Sequence, residues 1–234
     1  MITGFEGTIT ESIESEFQRL DATGFVRWAA EEFGETLAVS TSFGIQSAVT
    51  LKLVTSVVPD VKVIWVDTGY LPEETYRYAA RLTRKLRLNL HVYESAISPQ
   101  EMENRFGRLW ESDRVDDLNL YDQIRKVEPM ERALNELNVR GWISGLRAEQ
   151  TEHRRCLPPI KRVRRQYRIY PVLTWTSKDV YNFMQEHELP QHPLFSQGFT
   201  TVGDHHSSRP LAASDASDRA TRFRGLKQEC GLHF

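Results

Sequence analysis

Thr36-Leu37-Ala38-Val39-Ser40-Thr41-Ser42-Phe43-Gly44-Ile45-Gln46-Ser47 is the stretch on which the fold turns. Thr36 to Ser40 is a short apolar run that reads as a buried strand, and helical spacing then continues through about Val57. A turn at the carboxyl end of a parallel strand, opening a helix, presents backbone N–H groups and hydroxyls to an anion. Gly44 lets the backbone approach such a group closely. The Gly-Lys-Ser/Thr ending of the Walker pattern is missing, so there is no lysine of that kind. An ordinary strand-to-helix loop with a serine N-cap is the plainer reading of the same residues.

The pattern repeats outward from this point. Val61 to Val66 is β-branched and ends at Asp67-Thr68-Gly69. A helix follows Pro72, with Glu73 and Glu74 in its first turn and Arg81, Arg84, Lys85 and Arg87 towards its end, as the helix dipole favours. Leu88 to Tyr93 alternates like a strand, and Val139 to Ser144 is another, preceded by a helical segment from about Pro129 to Leu137. Arg168 to Val172 is a fifth candidate strand, weakened by Pro171. Thr176 and Asp179 have capping-box spacing and open a helix to about Glu186. Upstream, residues 11–33 carry helical spacing that Gly24 is expected to divide into two helices. Strands alternating with helices predict an α/β fold with a parallel sheet covered on both faces. From about Gln197 the chain turns polar and loses apolar periodicity, which predicts an extended C-terminal segment, mobile until something orders it. The expected organisation is a nucleotide-binding α/β domain over residues 1–203 and a C-terminal segment over residues 204–234.

Composition narrows the function. The chain has 234 residues, 40% of them apolar and 26% charged, which suits one substantial core and excludes disorder. A net charge of −2 argues against a generic nucleic-acid binder. No apolar run approaches bilayer length and no secretory signal is visible at the amino terminus, so a cytoplasmic protein is expected. Two cysteines, Cys156 and Cys230, are too few for a disulfide scaffold. His153, His205, His206 and Cys156 fit no common zinc spacing, so no metal is expected.

Three strand ends converge on one rim of such a sheet. Beside the loop of Ser40 to Ser47 stands Asp67-Thr68-Gly69, an acid suited to ribose or adenine donors, or an Asx-turn capping the next helix. Ser144-Gly145-Leu146-Arg147 places an arginine there, and its fork suits phosphate or sulfate. Residues 154–168 contain Arg154, Arg155, Lys161, Arg162, Arg164, Arg165 and Arg168 and no acid. They read either as an anion-binding wall or as a solvated face, and without interleaved aromatics they do not suit single-stranded nucleic acid. At the end of the chain, Cys230 has Arg224, Lys227 and His233 as cationic company that favours thiolate, while the adjacent Glu229 opposes it.

On these residues the chain resembles the phosphoadenosine phosphosulfate (PAPS) reductases. The resemblance runs from about Thr36 to His233. It includes Ser42 to Ser47 as a modified PP-loop, Asp67 to Tyr76, Lys126 to Met130, Gly145 to Gln150, Val202-Gly203-Asp204, and the signature Glu229-Cys230-Gly231-Leu232-His233. It implies a PP-loop fold, a homodimer, and reduction of PAPS to sulfite and adenosine 3′,5′-bisphosphate, with thioredoxin, or glutaredoxin, as electron donor. It implies that Cys230 attacks the sulfate sulfur, with His233 and Lys227 as further catalytic residues. The substrate-binding residues it implies are Ser40, Ser42, Phe43, Gly44, Gln46, Ser47, Asp67, Gly69, Lys126, Gly145, Arg147, Arg209 and Arg224. Relatives that use adenosine phosphosulfate (APS) hold an iron-sulfur cluster on an adjacent cysteine pair and a later Cys-x-x-Cys. Here Gln123-Ile124-Arg125 stands where the first pair would be, so no cluster and a preference for PAPS are expected. The alternatives are a PP-loop ATP pyrophosphatase or sulfur-transfer enzyme, and a cluster-free APS reductase.

Overall fold

The computed structural model describes residues 20–215, 218–227, 229, 231 and 232. Cys230 and His233, and residues 11–19 of the expected amino-terminal helices, lie outside the described residues. The chain order is α1 (Ala22–Phe33), β1 (Leu37–Thr41), α2 (Ser47–Val57), β2 (Lys62–Asp67), α3 (Glu73–Leu86), β3 (Asn89–Glu94) and α4 (Pro99–Phe106). It continues with α5 (Val115–Asp122), a π-helical turn (Gln123–Val127), α6 (Glu128–Glu136), β4 (Gly141–Ile143), α7 (Glu152–Arg155), β5 (Ile160–Val163), β6 (Gln166–Ile169) and α8 (Ser177–Glu186). The sheet order is β3-β2-β1-β4-β6-β5, with every pairing parallel except β5 with β6.

Alternation along the central strands assigns each residue to a layer. Leu37, Val39, Val63, Trp65 and Ile143 face one core with Phe25, Val26 and Ala29 of α1, Leu51 of α2, Leu82 of α3 and Met184 of α8. Ala38, Ile64 and Trp142 face the other, against Met130, Ala133 and Leu134 of α6. The chain lays β2 and β3 to one side of β1, then returns to place β4 on the other. That reversal opens a crevice at the carboxyl ends of β1 and β4, where open α/β sheets bind ligands.

Three local expectations are corrected. Gly24 does not divide a helix: it sits in the first turn of α1, and its N–H donates to the capping Asp21 Oδ1 at 2.6 Å. The fifth strand is Gln166–Ile169, ending before Pro171, whose missing N–H cannot serve a ladder. The sheet also gains the antiparallel edge strand β5 inside the basic run, where Lys161 and Arg162 hide the apolar alternation. The segment from about Gln197, expected as an extended arm, lies against the body through buried Asp204, Ser207, Thr221, Arg222 and Phe223. The Thr176–Asp179 capping box is present as expected.

The π-helical turn follows from Pro129. Proline in a helix interior has no N–H to give and its ring clashes with the carbonyl four residues back, here that of Arg125. The turn widens, and the N–H of Glu128 donates to the carbonyl of Gln123. Widening brings two consecutive cations, Arg125 and Lys126, into the interior. Arg125 Nε donates to the Thr68 carbonyl at 2.8 Å and Nη1 to the Ile97 carbonyl at 2.7 Å, which fixes the chain leaving β2.

Close packing of α1 on the sheet depends on Gly141 in β4. A Cβ there would lie 2.5 Å from the Phe33 ring and 3.0 Å from Leu37 Cδ1. Gly141→Ala is expected to destabilise the fold by about 1–3 kcal/mol, seen as a lowered urea midpoint with an unchanged far-ultraviolet spectrum.

Candidate active site

The crevice is a cleft of about 260 Å³. One wall is the loop after β1 and the start of α2: Ser40, Ser42, Gly44, Gln46 and Ser47 all line it. Phe43 is the residue that shapes this loop. Its backbone is left-handed (φ 48°), its N–H donates to Thr41 Oγ1 at 3.0 Å, and its ring is fully buried edge-on to Trp65. A non-glycine residue in that conformation costs about 1–2 kcal/mol, offset here by burying the ring. Ser47 closes the turn by donating through Oγ to the Gly44 carbonyl at 2.8 Å. The amino terminus of α2 then meets the cleft, as anion binding by a helix requires.

The loop after β4 supplies Ser144, Gly145 and Arg147. A Cβ on Gly145 would stand 2.4 Å from Thr50 Oγ1, so only glycine lets this loop approach α2 so closely. Arg147 is buried and its fork is engaged by the protein: Nη1 with Glu149 and the Trp175 carbonyl, Nη2 with Gln46 Oε1 at 2.6 Å. It ties the loop after β1 to the start of α8.

The far wall comes from residues 200–204 together with Arg219, Arg222 and Leu232. At its back is a chain of buried ion pairs. Lys126 Nζ lies 2.9 Å from Asp122 Oδ1 and 2.9 Å from Asp204 Oδ2, and Lys227 Nζ lies 2.6 Å from Asp122 Oδ2. Asp204 also accepts from Thr68 Oγ1. Burial would raise the Asp204 pKa, but Lys126, His206, Arg222 and the Thr68 hydroxyl together hold it well below the usual carboxylate range. Arg222 Nη1 donates to Ser208 Oγ at 2.6 Å, and its guanidinium occupies the space that a side chain at Gly203 would fill. His206 stacks on Trp110 with ring centroids 4.3 Å apart and meets the Tyr121 hydroxyl at 3.1 Å.

Of the residues implied at the sequence level, Ser40, Ser42, Gly44, Gln46, Ser47, Lys126, Gly145 and Arg147 thus converge on one cleft. Others stand elsewhere. Asp67 Oδ1 accepts from Gly69 N and from the Tyr76 hydroxyl, both at 2.8 Å, which is the Asx-turn geometry. Arg209 pairs with Asp215, and Arg224 with Asp113 and the carbonyls of Glu111 and Ser112. Within the basic run only Arg154 lines the cleft; Lys161, Arg162, Arg164 and Arg165 are exposed on the β5–β6 hairpin. Arg154 reaches the cleft from the basic run read as an anion-binding wall, while Thr68, Asp204, Arg219 and Arg222 are polar lining residues that were not among the site residues expected from sequence. Asp204 stood inside the quoted Val202-Gly203-Asp204 motif, but nothing local links it to Lys126. Among the described residues no group of three or more His, Cys, Asp or Glu side chains is placed to hold a metal ion, and no helix is long and apolar enough to cross a membrane.

The family model described as "Phosphoadenosine phosphosulfate reductase domain" matches residues 36–210. The chain belongs to the PAPS reductase family. A relative from Synechococcus sp., named phosphoadenosine 5′-phosphosulfate reductase, is 59% identical over 226 residues, covering 97% of each chain. The crystal structure of PAPS reductase from Candida auris in a phosphate complex superposes with a TM-score of 0.73 at 27% identity, covering 87% of this chain and 99% of that one. FMN adenylyltransferase from Candida glabrata shares the fold at 12% identity and a TM-score of 0.61, covering 94% of this chain and 80% of that one. The fold is thus shared with an FMN adenylyltransferase as well as a PAPS reductase, and family membership rather than fold separates them.

Two histidines, His192 buried and His206 half-buried, make stability depend on pH. Burial pushes His192 down to about 4 and His206 to about 3, so both are neutral in the folded protein at pH values where the unfolded chain has taken up protons. The unfolded state binds more protons below about pH 6.5, so stability is lost as pH falls through that value. Each histidine is expected to contribute up to about 1.4 kcal/mol per pH unit in that window. Urea midpoints measured between pH 7 and pH 4 are expected to fall, and more gently in His192→Asn, whose side-chain oxygen can still accept from Leu194 N.

Proposed function

We propose that this member of the family is a cluster-free, thioredoxin-dependent PAPS reductase that forms sulfite and adenosine 3′,5′-bisphosphate. The observation that carries the reading is the company kept by the terminal signature. Glu229 is held by Arg154, a cleft residue, and Leu232 lines the same cleft, so the residues flanking Cys230 on both sides belong to the site of the β1 loop.

In the proposed mechanism the Cys230 thiolate attacks the sulfate sulfur of PAPS. A sulfur–sulfur bond forms, the bond from sulfur to the phosphate oxygen breaks, and adenosine 3′,5′-bisphosphate leaves with the electron pair. Cys230 is left as S-sulfocysteine. A thiolate of reduced thioredoxin then attacks Cys230 Sγ, and sulfite leaves with the electron pair. The second thioredoxin thiol resolves the mixed disulfide, so two electrons from one dithiol complete the reduction. Charge grows on the leaving phosphate, and cations aimed at it stabilise the transition state more than the ground state. Arg219 and Arg222 suit this role by their place on the cleft wall, whereas Arg209 and Arg224 stand away from it, paired with Asp215 and Asp113. Lys227 acts through Asp122, with which its Nζ is paired, and His233 is the further catalytic residue that the family resemblance implies.

The cluster of the APS-using relatives has no part in the proposal. At the place of its first cysteine pair, Arg125 is buried against the Thr68 and Ile97 carbonyls. A homodimer in the cytoplasm, fed by thioredoxin or glutaredoxin, completes the reading.

Incubating the reduced protein with PAPS and no thioredoxin is expected to add one sulfo group by intact mass, absent in Cys230→Ser and released as sulfite by reduced thioredoxin. No adduct, despite nucleotide binding by calorimetry, would overturn the reductase mechanism. Turnover of PAPS is expected to exceed that of APS in parallel assays, and equal kcat/KM for the two would remove the substrate preference.

A further inference from the structure

The end of the described chain is held at two unlike points. Glu229 is mostly buried, and a carboxylate withdrawn from water is costly unless it is paired. It is paired thoroughly. Arg154 Nε donates to Oε1 at 2.8 Å and Arg154 Nη2 to Oε2 at 2.6 Å, the parallel fork that gives the strongest carboxylate contact. Thr151 Oγ1 donates to Oε1 at 2.7 Å, and Arg219 Nη2 stands 3.6 Å from Oε2. The fork is itself oriented: Arg154 Nη1 donates to Gln150, and its backbone N–H donates to Thr151 Oγ1 at 3.2 Å. On the other side of Cys230, Leu232 is partly buried against the apolar cluster between the sheet and α6. Between them Gly231 has a left-handed backbone (φ 74°), a turn that glycine alone takes without cost.

We propose that Glu229 is a positioning residue and Arg154 its docking post, the pair seating the Cys230 segment at the mouth of the cleft. The inference rests on the reductase reading, because its purpose is to bring the nucleophile to the phosphosulfate. It also resolves a conflict within the signature. A carboxylate adjacent to a nucleophilic thiol opposes the thiolate, but here two guanidiniums neutralise it, and Arg154 with Arg219 holds Glu229 below the usual carboxylate range against the opposing effect of burial. A glutamate at this position therefore ties down the segment at little cost to the thiolate.

The test compares Glu229→Gln, Arg154→Gln and the charge-swapped pair Arg154→Glu with Glu229→Arg, each with Cys156 replaced by Ser. Three quantities are measured: the single-turnover rate of Cys230 sulfonation by PAPS, the Kd for adenosine 3′,5′-bisphosphate, and the rate of Cys230 alkylation by iodoacetamide without nucleotide. Misplacing a nucleophile by about 1 Å can cost about a hundredfold, so both single variants are expected to lose sulfonation rate on that scale. Their nucleotide Kd should stay at the wild-type value, alkylation should quicken several-fold as the segment is released, and the swapped pair should recover part of both effects. Weakening of Kd in step with the rate in Arg154→Gln would make Arg154 a nucleotide ligand and overturn the proposal. Unchanged alkylation in both single variants would overturn it as well. If the wild type is not sulfonated while alkylation responds as expected, the reductase reading fails and the docking pair stands.

Discussion

An ammonium group taken out of water has to be met by carboxylates, and in this protein one such group organises the site. Lys126 is buried in the π-helical turn between α5 and α6, and its partners come from two places: Asp122 from one helical turn earlier, and Asp204 from the far wall of the cleft. Lys227 closes on the same Asp122. Removing any member leaves an uncompensated charge in the interior, which is far more costly than losing a surface pair. The cleft thus takes its shape as the C-terminal portion of the chain delivers Asp204 and Lys227 to a helix made much earlier. The cation–π approaches of Lys126 to Tyr121 and Phe223, with centroids 5.0 and 5.1 Å away, enclose the cluster further.

The same division of labour holds across the site. Apolar burial builds the sheet and its two helical layers, and the ring of Phe43 anchors the loop after β1 in that core. The other wall is assembled from polar and charged groups: Asp204 with Lys126 and Thr68, Arg222 with Ser208, Glu229 with Arg154. Hydrophobic contacts are non-directional, whereas charge-assisted hydrogen bonds fix distance and angle. A wall that must hold an anionic ligand and a reacting segment in register benefits from the second kind. Arg147 shows the same principle: read as a phosphate ligand from its position on the rim, it acts in this structure as a brace between the β1 loop and α8.

What could be read without the structure follows from how local each signal is. The loop of Ser42 to Ser47 was legible because a buried strand, a glycine and a helix start lie within a dozen residues. The capping box at Thr176 and Asp179 spans one helical turn and was equally plain. Strand β5 escaped because Lys161 and Arg162 face solvent at the sheet edge, where charge guards against unwanted pairing and masks the alternation. Gly24 misled because a glycine in the first turn of a helix, beneath an aspartate cap, looks in sequence like a break.

By itself, then, the sequence determined the α/β class, the central strands, the loop that opens α2 and the family, since each rests on residues adjacent in the chain. Tertiary structure alone decided which cations face the cleft. Arg209 and Arg224 are drawn to Asp215 and Asp113, while Arg154, Arg219 and Arg222 are brought in from the basic run and from the last stretch of the chain. The physical reason is that a charged side chain takes its role from its partners, and partners such as Asp204 for Lys126 or Glu229 for Arg154 become neighbours only once the sheet has brought distant segments to the same rim.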